Sequence, residues 1–363
     1  MAGDHAPFQA LVPEIAAIAV DTRGFRAFRA RVASGPELSR YPAQPPGAVY
    51  ARAVSALGCD VPVMQAPLGR GAAVALAAEV SRAGGLGTLG AAWTDPSSLR
   101  EQIRSIMRAT DRPFCVNLVL DFEQDERLEV AVEERVPWVS FSFGLRPDLV
   151  ARARAGGARV LVQVASARAA RSAADAGADA LVVQGVEAGG HVQSVVGLLP
   201  LIAAVRRAVS LPLVAAGGIA DPASARAALV AGAAAVAMGT RFVASDECDA
   251  HPRYKAGLLE ADGRDTVLTE LFDVGWPAPH RVLRNSTYER WEADGCPPSG
   301  SRPGEGEEVA PGIPRYAVNM PLAGVEGDVE AMAMYAGQGV GSIEAVEPAA
   351  AIVERYAAAL RSD

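Results

Sequence analysis

The chain has few of the groups from which metal centres and disulfide frameworks are built. Its four cysteines, Cys59, Cys115, Cys248 and Cys296, are scattered and form no CxxC pair, so neither a zinc site nor a set of disulfides is suggested. They read as reduced thiols of a cytoplasmic protein. Positive charge is also short: 34 Lys and Arg against 42 Asp and Glu leave a formal net charge of -8. Without clustered cations, neither nucleic acid nor an anionic membrane is expected as a partner. Long apolar runs are missing. Ala10 to Val20 is interrupted by Pro13 and Glu14 and no basic stretch precedes it, so no secretory leader is read there. Ala225 to Met238 is split by Gly232 and is too short to cross a bilayer. Nucleotide signatures are absent too: no GxxxxGK[ST] occurs, and no GxGxxG follows the first strand candidate.

What is present is a large apolar fraction, 50% of 363 residues, enough for one barrel and an accessory part. Short apolar runs recur at Val61 to Gln65, Leu86 to Leu89, Phe114 to Leu118, Trp138 to Phe141, Val160 to Val164, Ala180 to Gln184, Leu213 to Ala216 and Ala235 to Met238. Stretches of helical spacing lie between them, such as Val74 to Ala83, Pro96 to Ala109, Ala167 to Ala176, Leu199 to Val209 and Pro222 to Ala231, and Gly84, Gly156, Gly177 and Gly232 mark helix ends. Eight strands alternating with helices predict an α/β fold, a (β/α)8 TIM barrel, rather than an open doubly wound sheet. The barrel is expected over 47–262 and 326–363. Residues 1–46 read as an N-terminal extension, with Phe25, Phe28 and Val32 on one face of a short helix before a proline linker. Residues 263–325, rich in Trp, Pro and Gly, read as a smaller inserted lid domain with a mobile loop at Ser299 to Glu308. The tail from Val329 to Leu360 is expected to be helical, broken at Gly337 to Gly341.

The candidate site centres on Gln184-Gly185-Val186-Glu187-Ala188-Gly189-Gly190-His191, where a buried strand ends in a glycine-rich turn. Gly189 and Gly190 leave room for a planar ligand beside His191, one of only four histidines. Two later strands leave in glycines, at Gly217-Gly218 and at Ala237-Met238-Gly239-Thr240. Loops after the seventh and eighth barrel strands commonly hold a phosphate through backbone N–H groups, so Gly218, Gly239 and Thr240 are candidates for that task. The first strand ends in Ala66-Pro67-Leu68, whose backbone can cover one side of a flat ring. Asn117 and Gln184 offer amides that both donate and accept, as the edge of an isoalloxazine requires. Glu187 is read as structural. Lys255, Trp276, Arg281, Arg284 and Tyr288 are weak candidates for substrate contact, while His251 and His280 are expected at the surface.

These residues carry a resemblance. Gln65-Ala66-Pro67, Val116-Asn117-Leu118, Ser140-Phe141-Ser142-Phe143-Gly144, the turn from Gln184 to His191, Ala215 to Asp221, Met238-Gly239-Thr240 and Ala336-Gly337-Gln338 together resemble the nitronate monooxygenase family, from about Gly47 to Leu360. The resemblance implies FMN bound by Asn117, Gln184, Gly189, Gly218 and Ala237 to Thr240, with His191 catalytic. It implies oxidation of a nitronate or nitroalkane by dioxygen to a carbonyl compound and nitrite, His191 acting as base or as nitronate-binding group. Leu68 stands where the family usually has Met, and residues 1–46 and Ser299 to Glu308 are additions. A flavin enoyl-acyl-carrier-protein reductase or a quinone reductase using NAD(P)H shares the turn and much of the phosphate site. A flavin-free sugar-phosphate barrel enzyme is a more distant alternative, disfavoured because no strand candidate carries a lysine. A homo-oligomer is compatible with all of these readings.

Overall fold

Every one of the eight apolar runs forms a strand, and helices fill the intervals. In this computed structural model, which describes residues 57–69 and 73–361, the order is β1 (Val63–Gln65), α1 (Val74–Arg82), β2 (Gly87–Gly90), α2 (Pro96–Ala109), β3 (Phe114–Val119), α3 (Asp125–Glu133), β4 (Trp138–Ser142), α4 (Pro147–Ala155), β5 (Arg159–Val164), α5 (Ala167–Asp175) and β6 (Ala180–Gln184). A two-residue strand β7 (Gly190–His191) follows, then α6 (Leu198–Ala208), β8 (Leu213–Ala216), α7 (Pro222–Val230), β9 (Ala235–Met238) and the single turn α8 (Thr240–Val243). The expected N-terminal extension lies outside the described residues.

The parallel strands run β1-β9-β8-β6-β5-β4-β3-β2. Closure comes from β2 meeting β1: the Gln65 N–H donates to the Leu86 carbonyl at 3.0 Å and the Leu86 N–H to Val63 at 2.8 Å. The fold is therefore the expected (β/α)8 barrel. Side chains alternate along each strand, as the pleat requires. Val116, Val139, Val162, Val183, Ala215 and Val236 face the helices. Met64, Cys115, Trp138, Leu161, Val182, Val214 and Ala235 fill the interior.

The inward positions change character toward the carboxyl ends. Cys115 gives way to Asn117, Trp138 to Ser140 and Ser142, Leu161 to Gln163, and Val182 to Gln184. One end of the barrel is thus plugged by apolar side chains, with the Trp138 indole donating to the Leu57 carbonyl at 3.0 Å, and the other is lined by amides and hydroxyls.

Helix limits follow local chemistry. Asp95 caps α2 by accepting from the Ser98 N–H at 2.9 Å, Ser166 caps α5, and Asp221 forms a capping box with Ser224 at α7. Gly84, Gly177 and Gly232 end helices at φ of 94°, 96° and 113°. Gly156 is the C-cap of α4, as expected, and the left-handed residue is Gly157 after it.

Past the barrel come α9 (Pro252–Glu260), β10 (Thr266–Thr269), β11 (His280–Leu283), α10 (Ser286–Ala293), β12 (Glu308–Ala310), β13 (Ile313–Pro314) and α11 (Ala349–Arg361). Strands β10 and β11 form an antiparallel sheet whose other edge is β7, the strand carrying the glycine turn's histidine. The run from Ser299 to Glu308 is organised by Arg302, which donates to Asp273 at 2.9 Å, to Glu305 at 2.7 Å and to the Leu271 carbonyl at 3.1 Å. The tail differs from expectation. Only short 3-10 turns at Val329–Ala331 and Val340–Ser342 interrupt an extended path until α11 begins at Ala349. Gly337, Gly339 and Gly341 favour that path, and an added Cβ at Gly339 would lie 2.4 Å from the Gly218 carbonyl.

The tightest approach of strand to helix is at Gly87, where a Cβ would fall 1.9 Å from the Ala77 carbonyl. Gly87→Ala is expected to destabilise the fold by about 2–4 kcal/mol, because the atoms met are the backbone of Ala77 and cannot rotate away. A fall in the denaturant midpoint checks this.

Candidate active site

The polar end of the barrel is held together by amides acting on one another. Gln184 accepts at Oε1 from the Gln193 N–H at 3.0 Å and from Gln163 Nε2 at 3.2 Å, and its Nε2 donates to the His191 carbonyl at 3.0 Å. It fastens the segment that carries His191 to the end of β6. Asn117 Nδ2 donates to Ser140 Oγ at 2.9 Å. Gln163, which also donates to Gln193 Oε1 at 2.7 Å, lines the same cavity. The sequence reading passed over it, although inward alternation along β5 marks its position.

The glycine turn is clamped from both sides. The Glu187 carboxylate accepts from the Leu198 N–H at 2.9 and 3.0 Å and so caps α6, a structural task. The Arg281 guanidinium, only 6% exposed, donates to the Val186 carbonyl at 2.9 Å. Burial lowers its pKa while the Glu187 charge opposes that shift. Gly189 is required by chain packing: a Cβ there would lie 2.4 Å from the Gly337 amide. Gly190 has φ 75° and open space on its side-chain face. The Thr240 hydroxyl accepts from the Gly337 N–H at 3.0 Å, which ties the last barrel loop to the same tail segment.

His191 lies among aromatic rings. Trp276 stacks on it with ring centres 3.7 Å apart and planes at 21°. His280 stands at 5.3 Å and Tyr335 at 5.5 Å, and the Phe143 edge at 6.3 Å. Phe143 has φ 57°, a left-handed conformation that costs a residue with a Cβ roughly 1–2 kcal/mol. Its ring packs 4.6 Å from Trp276, and Trp93 and Phe122 complete the cluster. His191 Nε2 is buried with no hydrogen-bond partner. Its pKa is pushed down to about 3 by burial, with the nearby His280 adding to the effect and a backbone hydrogen bond to Trp276 opposing it. The imidazole is therefore neutral at ordinary pH, with a free ring nitrogen.

His280 corrects an expectation. It is 0% exposed rather than on the surface, because β11 lies between β10 and β7. Its Nδ1 bonds the Ala278 carbonyl at 2.8 Å and its Nε2 accepts from the Phe272 N–H at 3.2 Å. His251 caps α9 through Nδ1. Of the five weak candidates for substrate contact, Trp276 alone lines the cavity. Lys255 donates to the Ser245 carbonyl at 2.6 Å, Arg284 pairs with Glu292, Tyr288 packs on Trp291, and Arg281 is committed to Val186.

One cavity of about 240 Å³ gathers every residue singled out for the cofactor: Ala66, Pro67, Leu68, Asn117, Gln184, Gly189, Gly190, Gly217, Gly218, Ala237, Met238, Gly239 and Thr240, with His191 on its wall. Among the described residues, the amides of Gly218, Gly239 and Thr240 have no acceptor. Gly217 and Gly218 take φ of 117° and 67°, and a Cβ on Gly239 would meet only Ala66, at 3.7 Å. This is a neutral cradle of donors suited to an anion. No Asp, Glu, Lys or Arg lines the cavity among the described residues, no metal-binding cluster occurs among them, and none of their helices is long and apolar enough to cross a membrane.

A parallel barrel with amides, a donor cradle and an unpaired imidazole at its open end defines a class of cofactor-using barrel enzymes. The chain belongs to the nitronate monooxygenase family, whose model matches residues 52–126 and 122–358, and it is an oxidoreductase of that flavoprotein type. Nitronate monooxygenase of Pseudomonas aeruginosa is 36% identical over 67% of this chain and 82% of its own length. A (3aS,4S,5R,7aS)-5-hydroxy-7a-methyl-1-oxo-octahydro-1H-indene-4-carboxyl-CoA dehydrogenase of Mycobacterium tuberculosis is 37% identical over 68% of each chain. Among solved structures, FabK from Thermotoga maritima aligns with a TM-score of 0.74 at 35% identity over 85% of this chain and 96% of that one. Nitroalkane oxidase from Streptomyces ansochromogenes aligns at 0.70 and 32% over 85% and 98%.

Because His191 and His280 both have pKa values lowered by burial, the unfolded chain binds more protons below about pH 6.5 than the folded one. Stability is expected to fall as pH drops from about 6.5 toward 5, ahead of carboxylate protonation. His191→Asn should flatten part of that slope in denaturant titrations, and an unchanged slope would show that the imidazole is not held neutral.

Proposed function

We propose that the chain binds FMN at the open end of the barrel and oxidises nitronates, and nitroalkanes through them, to carbonyl compound and nitrite with dioxygen. The observation that carries this reading is the unpartnered Nε2 of His191, a residue that lines the same cavity as Gly218, Gly239 and Thr240 with their unsatisfied amides. The donor set fits FMN: the amides are suited to its phosphate, Ala66, Pro67 and Leu68 to a flat ring, and Asn117 and Gln184 to polar groups on the ring edge. When bound, FMN supplies a flat ring that accepts electrons and passes them to dioxygen.

The protein contributes position and a proton acceptor. Neutral His191 takes the proton from the carbon beside the nitro group, and the nitronate formed is the counter-charge to the imidazolium. Burial weakens the free ring as a base, and the anion formed beside the imidazolium offsets that loss. Trp93, Phe143, Trp276 and Met320 offer an apolar wall to the non-reacting part of the substrate. A second reading, dehydrogenation of a bulky acyl thioester, is favoured by the 37% identity to the Mycobacterium tuberculosis dehydrogenase.

The deciding experiment takes the visible spectrum of the protein as purified and follows it anaerobically with a nitronate, a nitroalkane and NADPH. Flavin bleached by NADPH but not by nitronate would replace the proposed reaction with a reductase. His191→Asn is expected to lose about 10²- to 10⁴-fold in kcat/KM on neutral nitroalkane and far less on preformed nitronate. Equal losses on both would remove the proton-abstraction role. Along a series of linear alkyl nitronates, kcat/KM should rise roughly fourfold per methylene until the wall is covered, and a terminal carboxylate should reverse the gain. A flat series would rule out the apolar wall as a substrate contact.

A further inference from the structure

The Trp276 indole has a second attachment besides His191. Its Nε1–H donates to Asp121 Oδ2 at 2.8 Å. Asp121 lies just past β3. It belongs to none of the motifs that carry the family resemblance. Trp276 itself is 6% exposed and wedged among Trp93, Phe122 and Phe143, with ring centres 5.6, 5.6 and 4.6 Å away.

The geometry points to Asp121 as a positioning residue for His191: its carboxylate fixes the indole, and the indole, flat against the imidazole, fixes the direction of Nε2. This rests on His191 acting as the base, but the positioning itself can be read without turnover. An aromatic cluster alone leaves the indole several edge-to-face arrangements of similar energy. A directional hydrogen bond from its one donor selects the arrangement in which the ring plane lies 21° from the imidazole. The backbone bond between His191 and Trp276 raises the ring's basicity, so in it the imidazole donates to the Trp276 carbonyl, and the donor is Nδ1 because Nε2 has no partner. One residue thus sets both the plane and the tautomer of the ring, and Asp121 sets that residue. The titratable groups facing His191 are His280 on β11 and Tyr335 on the tail.

The test uses the holoenzyme with ¹⁵N-labelled histidine. With four histidines in the chain, His191→Asn assigns the resonance, and the ring is titrated in wild type, Asp121→Ala, Asp121→Asn and Trp276→Phe. Asp121→Asn keeps an acceptor oxygen and should behave as wild type. Asp121→Ala should move the His191 titration upward, toward the ordinary value near 6.5, as water reaches a loosened ring. The acid limb of kcat/KM on neutral nitroalkane should move with it, and kcat should fall roughly five- to tenfold with KM little changed. In a Trp276→Phe background, Asp121→Ala should add less than about twofold, since the coupling runs through the indole. Equal effects of Asn and Ala at position 121, additive effects in the double variant, or an unmoved His191 titration would each overturn the assignment. A moved titration in a protein that oxidises no nitronate would leave the positioning intact and remove the proposed reaction.

Discussion

The site depends on a ladder of two residue pairs. His280 stands opposite His191 and Arg281 opposite Gly190, and the Val192 N–H donates to the Pro279 carbonyl at 2.8 Å. Through these contacts a loop that would otherwise carry a mobile histidine becomes the edge strand of a small sheet. The segment following the barrel is therefore structural support for the imidazole as well as a cover over it. The Arg281 guanidinium and the amide of Gln184 reach the same loop from opposite sides, so the turn is fixed at Val186, at His191 and at Gln193.

That support has an electrostatic consequence. Burial dominates the lowered basicity of His191, the neighbouring His280 adds to it, and the backbone contact to Trp276 only partly opposes it. The surroundings favour the neutral ring until a substrate anion appears beside it. On the other side of the cavity the anion-binding capacity is supplied by backbone amides at glycines, which add donors without adding a fixed charge. The cavity therefore meets negative charge with dipoles rather than with cations, and it leaves the rest of its wall apolar.

Much of this was legible in the chain itself, and the boundary of legibility has a physical reason. The eight strands are local patterns: Val-rich runs such as Val160 to Val164, bounded by glycine-ended helices, need no distant partner to be recognised. The inward amides could be read from the period of two once the strands were assigned, as Asn117 and Gln184 were and Gln163 was not. The glycine turns were legible because Gly218 and Gly239 precede nothing that a strand end alone requires. The burial of His280 was not, since its neighbours in sequence, Pro279 and Arg281, suggest solvent, and only the pairing of β11 between two other strands encloses it. The Asp121 contact to Trp276 spans 155 positions, and no local pattern announces it. The extended path of the tail escaped for a different reason: its apolar spacing resembles a helix, while Gly337 and Gly339 answer to close approaches by the barrel loops and Gly341 to the close approach of Asp262.

The distance in sequence between the barrel strands and Trp276 bears on how the molecule matures. On the ribosome the amino-terminal part emerges first, and all eight barrel strands are synthesised before the indole and β11. A nascent chain at that stage contains the residues of the donor cradle but neither the ring that lies on His191 nor the strand that pairs with it. The residues of the donor cradle and the rings that enclose His191 are thus made at separate moments of biosynthesis.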